Sequence, residues 1–213
     1  MEEKKKISIA VIRRLPRYYR YLSDLIDNEI TRISSKELAR KMGITASQIR
    51  QDLNCFGGFG QQGYGYNVNS LFTEIGRILG TENNFKIVII GAGRLGRALA
   101  HYPNFIKRGY EIIGIFDVSP AIIGSIINGI EVMHLDSLRF FVKANKTDIA
   151  VLTVPSLSIR EVVSTVCDAG IKGIWNFSPR ELSLPPDIVV ENVHLSDSLM
   201  VLGYNLLQNN KDS

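Results

Sequence analysis

The sequence predicts an α/β chain of two units with a tail: a winged helix over residues 1–84, a Rossmann-like doubly wound sheet over residues 85–193, and a terminal helix over residues 194–213. Three observations carry this. Two capped helix signals meet at Gly43, a hydrophobic strand from Phe85 to Ile90 runs into Gly91-Ala92-Gly93-Arg94-Leu95-Gly96, and leucines recur at helical spacing from Leu195 to Leu207.

At 213 residues, with 45% hydrophobic and 22% charged content, the chain has the make-up of two small soluble domains. No apolar run approaches a membrane span, and Met1 to Lys6 lacks the hydrophobic stretch of a signal peptide, so a cytoplasmic place and no membrane partner are expected. Cys55 and Cys167 stand far apart without C-x-x-C pairing, which suits a reducing compartment and inert thiols. No metal is expected. The net charge of +4 falls wholly in the first unit, where residues 1–84 carry 13 Lys and Arg against 9 Asp and Glu. From Lys4 to Arg50 the ratio is 12 to 4, the asymmetry of a surface that faces phosphates.

In the first unit, Ser34 and Glu37 stand three apart before Leu38 to Met42, a capping box that opens a short helix, and Gly43 suits its exit. Thr45 and Gln48 repeat the box and open a second helix through Asn54. Helices joined across Gly43-Ile44 form a helix-turn-helix, with Leu38, Met42, Ile44, Ile49 and Leu53 for its core. The second helix suits a major groove, where Ser47, Gln48, Arg50 and Gln51 are candidates for base or phosphate contacts; Gln pairs bidentately with adenine and Arg with guanine. Phe56 to Tyr66 alternates aromatics with glycines around Gln61-Gln62, which reads as a hairpin wing able to touch the adjacent minor groove.

In the second unit, Gly91 permits the tight turn, Gly93 lets backbone approach a pyrophosphate, and Gly96 lets the helix from Arg94 to Tyr102 pack close to the strand. A second strand, Tyr110 to Phe116, delivers Asp117, 21 residues beyond Gly96, close to the spacing of a carboxylate that binds a ribose 2′-hydroxyl and repels a 2′-phosphate. NAD(H) is therefore favoured over NADP(H). Strands Asp148 to Val154 and Ile171 to Phe177 extend the sheet. Ligands in such sheets lie at the carboxyl strand ends, which puts Thr153, Val154, Pro155, Asn176, Phe177 and Ser178 near the nicotinamide half. After a strand from Ile188 to Val193, Leu195, Leu199, Leu202 and Leu206 make an apolar stripe, with Ser196 as the expected N-cap.

Taken together, Arg13-Arg14-Leu15-Pro16-Arg17-Tyr18-Tyr19-Arg20, Gln48-Ile49-Arg50-Gln51-Asp52, Gly63-Tyr64-Gly65-Tyr66, the glycine turn with Ala100-His101-Tyr102, Leu152-Thr153-Val154-Pro155-Ser156 and Asn176-Phe177-Ser178-Pro179 resemble the Rex family of bacterial redox-sensing repressors over nearly the whole chain. The resemblance implies a homodimer that binds palindromic double-stranded operator DNA and releases it when NADH binds, with the terminal helix exchanged between partners. It implies DNA contacts from Arg13, Arg14, Ser35, Thr45, Ser47, Gln48, Arg50, Gln51, Gly60, Gln61, Gln62, Gly63 and Tyr64. For the cofactor it implies Gly91, Ala92, Gly93, Arg94, Leu95, Gly96, Tyr102, Asp117, Val118 and the six strand-end residues above. Two departures stand out: Gln61 and Gln62 replace the basic wing tip of many members, and His194 replaces an aspartate of the sensing pocket.

Two other classes fit parts of the sequence. A small NAD-dependent dehydrogenase or reductase would need a proton donor, for which His101, His134 and His194 are the histidines available, and would leave the basic winged helix without a role. A CoA-binding or structural module would leave Asp117 without a partner. No catalytic residue is expected.

Overall fold

The computed structural model describes residues 7–56, 60–61, 65–182 and 184–209. The chain divides into two compact units, Met1–Glu82 and Asn83–Ser213.

The first unit begins with α1 (Ile9–Asp27), where Ser8 caps the N-terminus. Val11, Leu15, Tyr18, Leu22 and Leu25 fall on one face of α1 and are buried there, as a 3.6-residue period requires. β1 (Arg32–Ile33) leads into α2 (Ser35–Met42), whose Ser34–Glu37 capping box forms as expected and whose exit is Gly43 at φ 67°. α3 (Ala46–Asn54) follows. Here only half of the second box forms. The Thr45 hydroxyl accepts from the Gln48 amide, but the Gln48 side chain turns to Asp52 instead of returning to the cap.

β2 (Gly60–Gln61) and β3 (Gly65–Asn67) pair antiparallel, with β1 on the other side of β3. That is the three-stranded sheet of a winged helix. Gln62, Gly63 and Tyr64, the remainder of the expected wing contacts, lie outside the described residues. α4 (Val68–Leu79), capped by Asn67 and ended by Gly80 at φ 74°, completes the unit. Its Val68, Leu71 and Ile75 join Leu15, Tyr18, Leu22, Leu38, Ile49 and Leu53 in one core.

The second unit is built on β4 (Phe85–Ile90), α5 (Arg94–Ala100), β5 (Tyr110–Asp117), β6 (Ile126–Ile127), β7 (Ile130–His134), α6 (Leu138–Asn145), β8 (Ile149–Leu152), α7 (Ile159–Asp168), β9 (Gly173–Asn176), β10 (Val189–Asn192) and α8 (Leu195–Asn209). Strand order is β10-β9-β8-β4-β5-β7-β6, parallel except for the β6–β7 hairpin. Both faces of the central strands are buried. Val88 and Ile90 pack with residues of α6 and α7, whereas Ile87 and Ile89 pack with Ala100 of α5, so an unbroken apolar run serves two cores through its two-residue period.

The terminal helix forms over the expected stripe and buries none of its residues. Leu195, Leu199, Leu202 and Leu206 remain 52–67% exposed. Ser196 lies within the helix and is not its N-cap; the helix opens one residue earlier, with the Asp197 amide donating to the His194 carbonyl at 3.1 Å.

Candidate functional site

The topological switch of the second unit lies between β4 and β8, because β4 pairs with β5 on one side and with β8 on the other. Its strand ends are tied together: the Thr153 hydroxyl donates to the Gly91 carbonyl at 2.7 Å. Such a point is where parallel sheets open a crevice for ligands.

The three glycines of the turn are under different constraints. Gly91 sits at φ +103°, and a β-carbon there would stand 2.9 Å from the Thr153 carbonyl oxygen. A β-carbon on Gly96 would stand 1.9 Å from the Gly91 carbonyl oxygen. Both are required by the protein's own packing. Gly93 has an ordinary φ of −69°, and a β-carbon there would meet nothing within 4 Å. The space before Gly93 is open, and Gly93 caps α5 without any side-chain hydrogen bond, which leaves the helix N-terminus available to an anion. Exposed Arg94 and half-buried Leu95 begin that helix.

Asp117 closes the other side of the turn. Its carboxylate accepts from the Ala92 amide at 2.7 Å and from the Ser119 amide at 2.8 Å. An ionised carboxylate has about four acceptor positions, so two remain for a diol. Val118, beside it, is exposed. Pro155 is exposed and Val154 half-buried at the end of β8.

Tyr102 and Phe177, placed in different parts of the sequence, are the two ends of a single aromatic chain. Tyr102 meets Phe105 edge-on at 4.9 Å, Phe105 meets Trp175 at 5.8 Å, and Trp175 meets Phe177 at 4.6 Å. Phe105 and Trp175 also line a cavity of about 370 Å³ with Ile87, Tyr110, Ile149 and Val189. That cavity lies by the amino ends of the strands, away from the glycine turn.

Asn176 and Ser178 face inward. Asn176 is fully buried, and its amide is spent: nitrogen donates to the Arg180 carbonyl and the Asn192 side chain, both at 2.8 Å, and oxygen accepts from the Ser178 amide at 2.9 Å. It ties the end of β9 to β10, a task for which the sequence motif alone gave no sign. The Ser178 hydroxyl is buried without a hydrogen-bond partner among the described residues.

In the first unit, Arg13, Thr45, Ser47, Arg50 and Gln51 are exposed and Ser35 half-exposed. The Arg50 guanidinium donates to the Ser35 hydroxyl at 3.3 Å, joining α3 to the first turn of α2. Arg14 is differently placed. Its guanidinium donates from Nε and Nη2 to Asp52 at 2.6 and 2.7 Å, in the two-pronged geometry that arginine and carboxylate favour. Tyr18 donates its hydroxyl to Asp52 at 2.6 Å, and the Gln48 amide nitrogen donates at 2.8 Å.

Asp52 is 1% exposed. Burial alone would push its pKa up, but the hydrogen bonds from Arg14, Tyr18 and Gln48 outweigh burial and hold the carboxyl below its usual range. Tyr18 shifts upward, through its own burial and then its bond to Asp52, and stays a donor. The sequence did contain a signal for this cluster. Ile49, Asp52 and Leu53 share the buried face of α3, and a carboxylate on an apolar face has to find a cation.

The N-terminal 6–54 match a family model described as "Putative DNA-binding protein N-terminus", and residues 82–180 match the CoA binding domain model. The redox-sensing transcriptional repressor Rex of Caldicellulosiruptor saccharolyticus is 54% identical over 206 residues, covering 97% of this chain and 94% of that protein. A crystal structure of RSP, a Rex-family repressor, in complex with β-NAD⁺ and operator DNA superposes with a TM-score of 0.90 at 50% identity, covering 97% of this chain and 95% of that one. A structure of RSP in complex with β-NADH gives the same TM-score at 48% identity, covering 97% of both chains. Among the described residues no helix is long and apolar enough to cross a membrane.

Proposed function

Because this chain belongs to the Rex family of redox-sensing transcriptional repressors, we propose that it holds operator DNA through its winged helix and releases it when NADH enters the crevice at Gly93. The observation that carries this reading is the asymmetry of the glycine turn. Gly91 and Gly96 are needed by the fold, whereas Gly93 is needed only by something outside it. A pyrophosphate against Gly93 and the uncapped start of α5 would leave the adenosine ribose beside Asp117, whose two remaining acceptor positions favour a free 2′-hydroxyl.

The nicotinamide half then falls toward Thr153, Val154 and Phe177, the strand-end member of the aromatic chain. An apolar lining costs a neutral dihydronicotinamide less on desolvation than it costs the cationic oxidised ring, which favours NADH over NAD⁺. Buried Asn176 serves in this reading by fixing the strand end rather than by touching the ligand. The exposed leucines of α8 supply the surface for a homodimer, and a swapped helix would couple the two copies. NADH can shift the protein off DNA only by binding the DNA-incompetent state more tightly.

We read the chain as a regulator rather than an enzyme. His101 and His134, two of its three histidines, are engaged in local bonds with the Arg97 carbonyl and the Asp136 amide. A CoA reading follows from the 82–180 match alone, and it would set the ribose 3′-phosphate of CoA against the Asp117 carboxylate. The test is fluorescence anisotropy of a labelled palindromic duplex with NADH, NAD⁺, NADPH and CoA added separately. NADH should release the duplex at much lower concentration than the other three. Unchanged anisotropy at saturating NADH, or equal release by CoA, overturns the reading.

A further inference from the structure

Asp52 receives four hydrogen bonds: Arg14 Nε and the Tyr18 hydroxyl on Oδ2, Arg14 Nη2 and Gln48 Nε2 on Oδ1. A carboxylate offers about four acceptor positions, so this one is saturated. It is also buried and ionised, and therefore has no donor to give back. That fixes the Gln48 amide. An amide that can rotate end for end offers either its oxygen or its nitrogen to a neighbour, but a saturated carboxylate accepts only the nitrogen. The edge turned away from Asp52 is then Oε1 together with the second N–H.

Gln48 is the third residue of α3, in the first turn, where a helix seated in a major groove reaches base edges. An acceptor beside a donor matches adenine, whose N6 amino group donates and whose N7 accepts; guanine presents two acceptors, O6 and N7, and its O6 would face the Gln48 oxygen. We infer that Asp52 is the positioning residue for base selection in the DNA-binding unit, locking Gln48 with an adenine-complementary edge toward the groove. Arg14 and Tyr18 act behind it, holding the carboxylate still from α1. The inference rests on the reading of α3 as a DNA-recognition helix.

The test uses the full chain and a panel of operator duplexes, each with one base pair changed or one adenine replaced by 7-deaza-adenine, which lacks N7. At one position per half-site, wild type should lose about tenfold or more in affinity on either change, and Gln48→Ala should lose nothing further there. Asp52→Asn should shrink the discrimination at that same position toward unity while leaving the other positions' ratios and NADH affinity in place. A merely structural Asp52 would weaken all duplexes alike.

Should Asp52→Asn not fold, ¹⁵N-labelled wild type decides by solvent exchange of the two Gln48 side-chain protons. One should be protected about tenfold over the other, and equal exchange overturns the lock. Wild type that binds operator and responds to NADH, yet shows no Gln48-dependent adenine position, overturns this inference alone. Wild type that binds no operator overturns the functional reading beneath it.

Discussion

The Ala92 amide donates to the Asp117 carboxylate across 2.7 Å, so the acid that ends β5 also sets the shape of the turn that ends β4. Removing it has two effects. Asp117→Ala should weaken NADH binding and also relax the preference against NADPH, whereas Asp117→Asn keeps an acceptor for Ala92 and should restore more of the affinity than of the selectivity. Titrations of both variants with both nucleotides check this, and an unchanged NADH/NADPH ratio in Asp117→Ala removes Asp117 from the ribose.

The glycines should separate in a thermal melt. Gly93→Val puts side chain into open space and should leave the melting temperature of the free protein near wild type while abolishing NADH binding. Gly96→Ala forces a β-carbon against the Gly91 carbonyl and Gly91→Ala strains a positive φ, so both should destabilise the second unit before any ligand is added. A Gly93→Val chain that binds NADH normally places the pyrophosphate elsewhere.

Asp52 should give the winged helix an acid limit. Its folded pKa lies below the ordinary 3.8, so its contribution to stability is complete above that value and is lost as pH falls through the lower folded value. Melting of the first unit should therefore steepen below about pH 4 in wild type and less so in Asp52→Asn. Arg14→Ala, which leaves the carboxylate buried without its cation, should cost about 3 kcal/mol, the low end for broken buried pairs because Arg14 is 28% exposed. Denaturant unfolding measures both.

Trp175 is the chain's single tryptophan and touches Phe177 at the strand end proposed for the nicotinamide. Reduced nicotinamide absorbs where indole emits, and the oxidised ring does not. NADH should quench Trp175 emission with sensitised nicotinamide fluorescence, and NAD⁺ should produce no such transfer. Emission that stays constant at saturating NADH would separate the ligand from this aromatic chain.

Leu199→Asp with Leu206→Asp should charge the apolar face of α8 and shift the protein toward monomer, with operator affinity falling in step. Sedimentation measures the first and anisotropy the second. A double variant that remains dimeric takes α8 out of the interface.

Much of the site was legible because its constraints are local. Strand, glycine turn, helix and acid lie within Phe85 to Asp117, and the caps at Ser34 and Thr45 depend on residues three positions away. What escaped were partners chosen in three dimensions. Asp52 meets Arg14 from 38 positions away, which diverts Gln48 from its expected box; Asn176 meets Asn192 across the sheet edge. The β6–β7 hairpin is local: Asn128-Gly129 between Ile127 and Ile130 is its turn, and both residues take the positive φ that such a turn demands. The expected Ser196 cap failed because hydroxyl type does not reveal where a helix opens.

The freedom around Gly93 has an evolutionary side. A glycine codon becomes alanine, valine, or aspartate or glutamate by one change at its second base, and at Gly93 the folded chain offers no steric objection to a β-carbon. With the NADH pyrophosphate seated there as proposed, a single point mutation would yield a stable repressor deaf to its signal. Selection on protein integrity cannot remove such an allele, since nothing in the fold is harmed. On that reading only the fitness of cells that still need derepression would hold this glycine in place, and lineages released from that need should lose Gly93 well before Gly91 or Gly96.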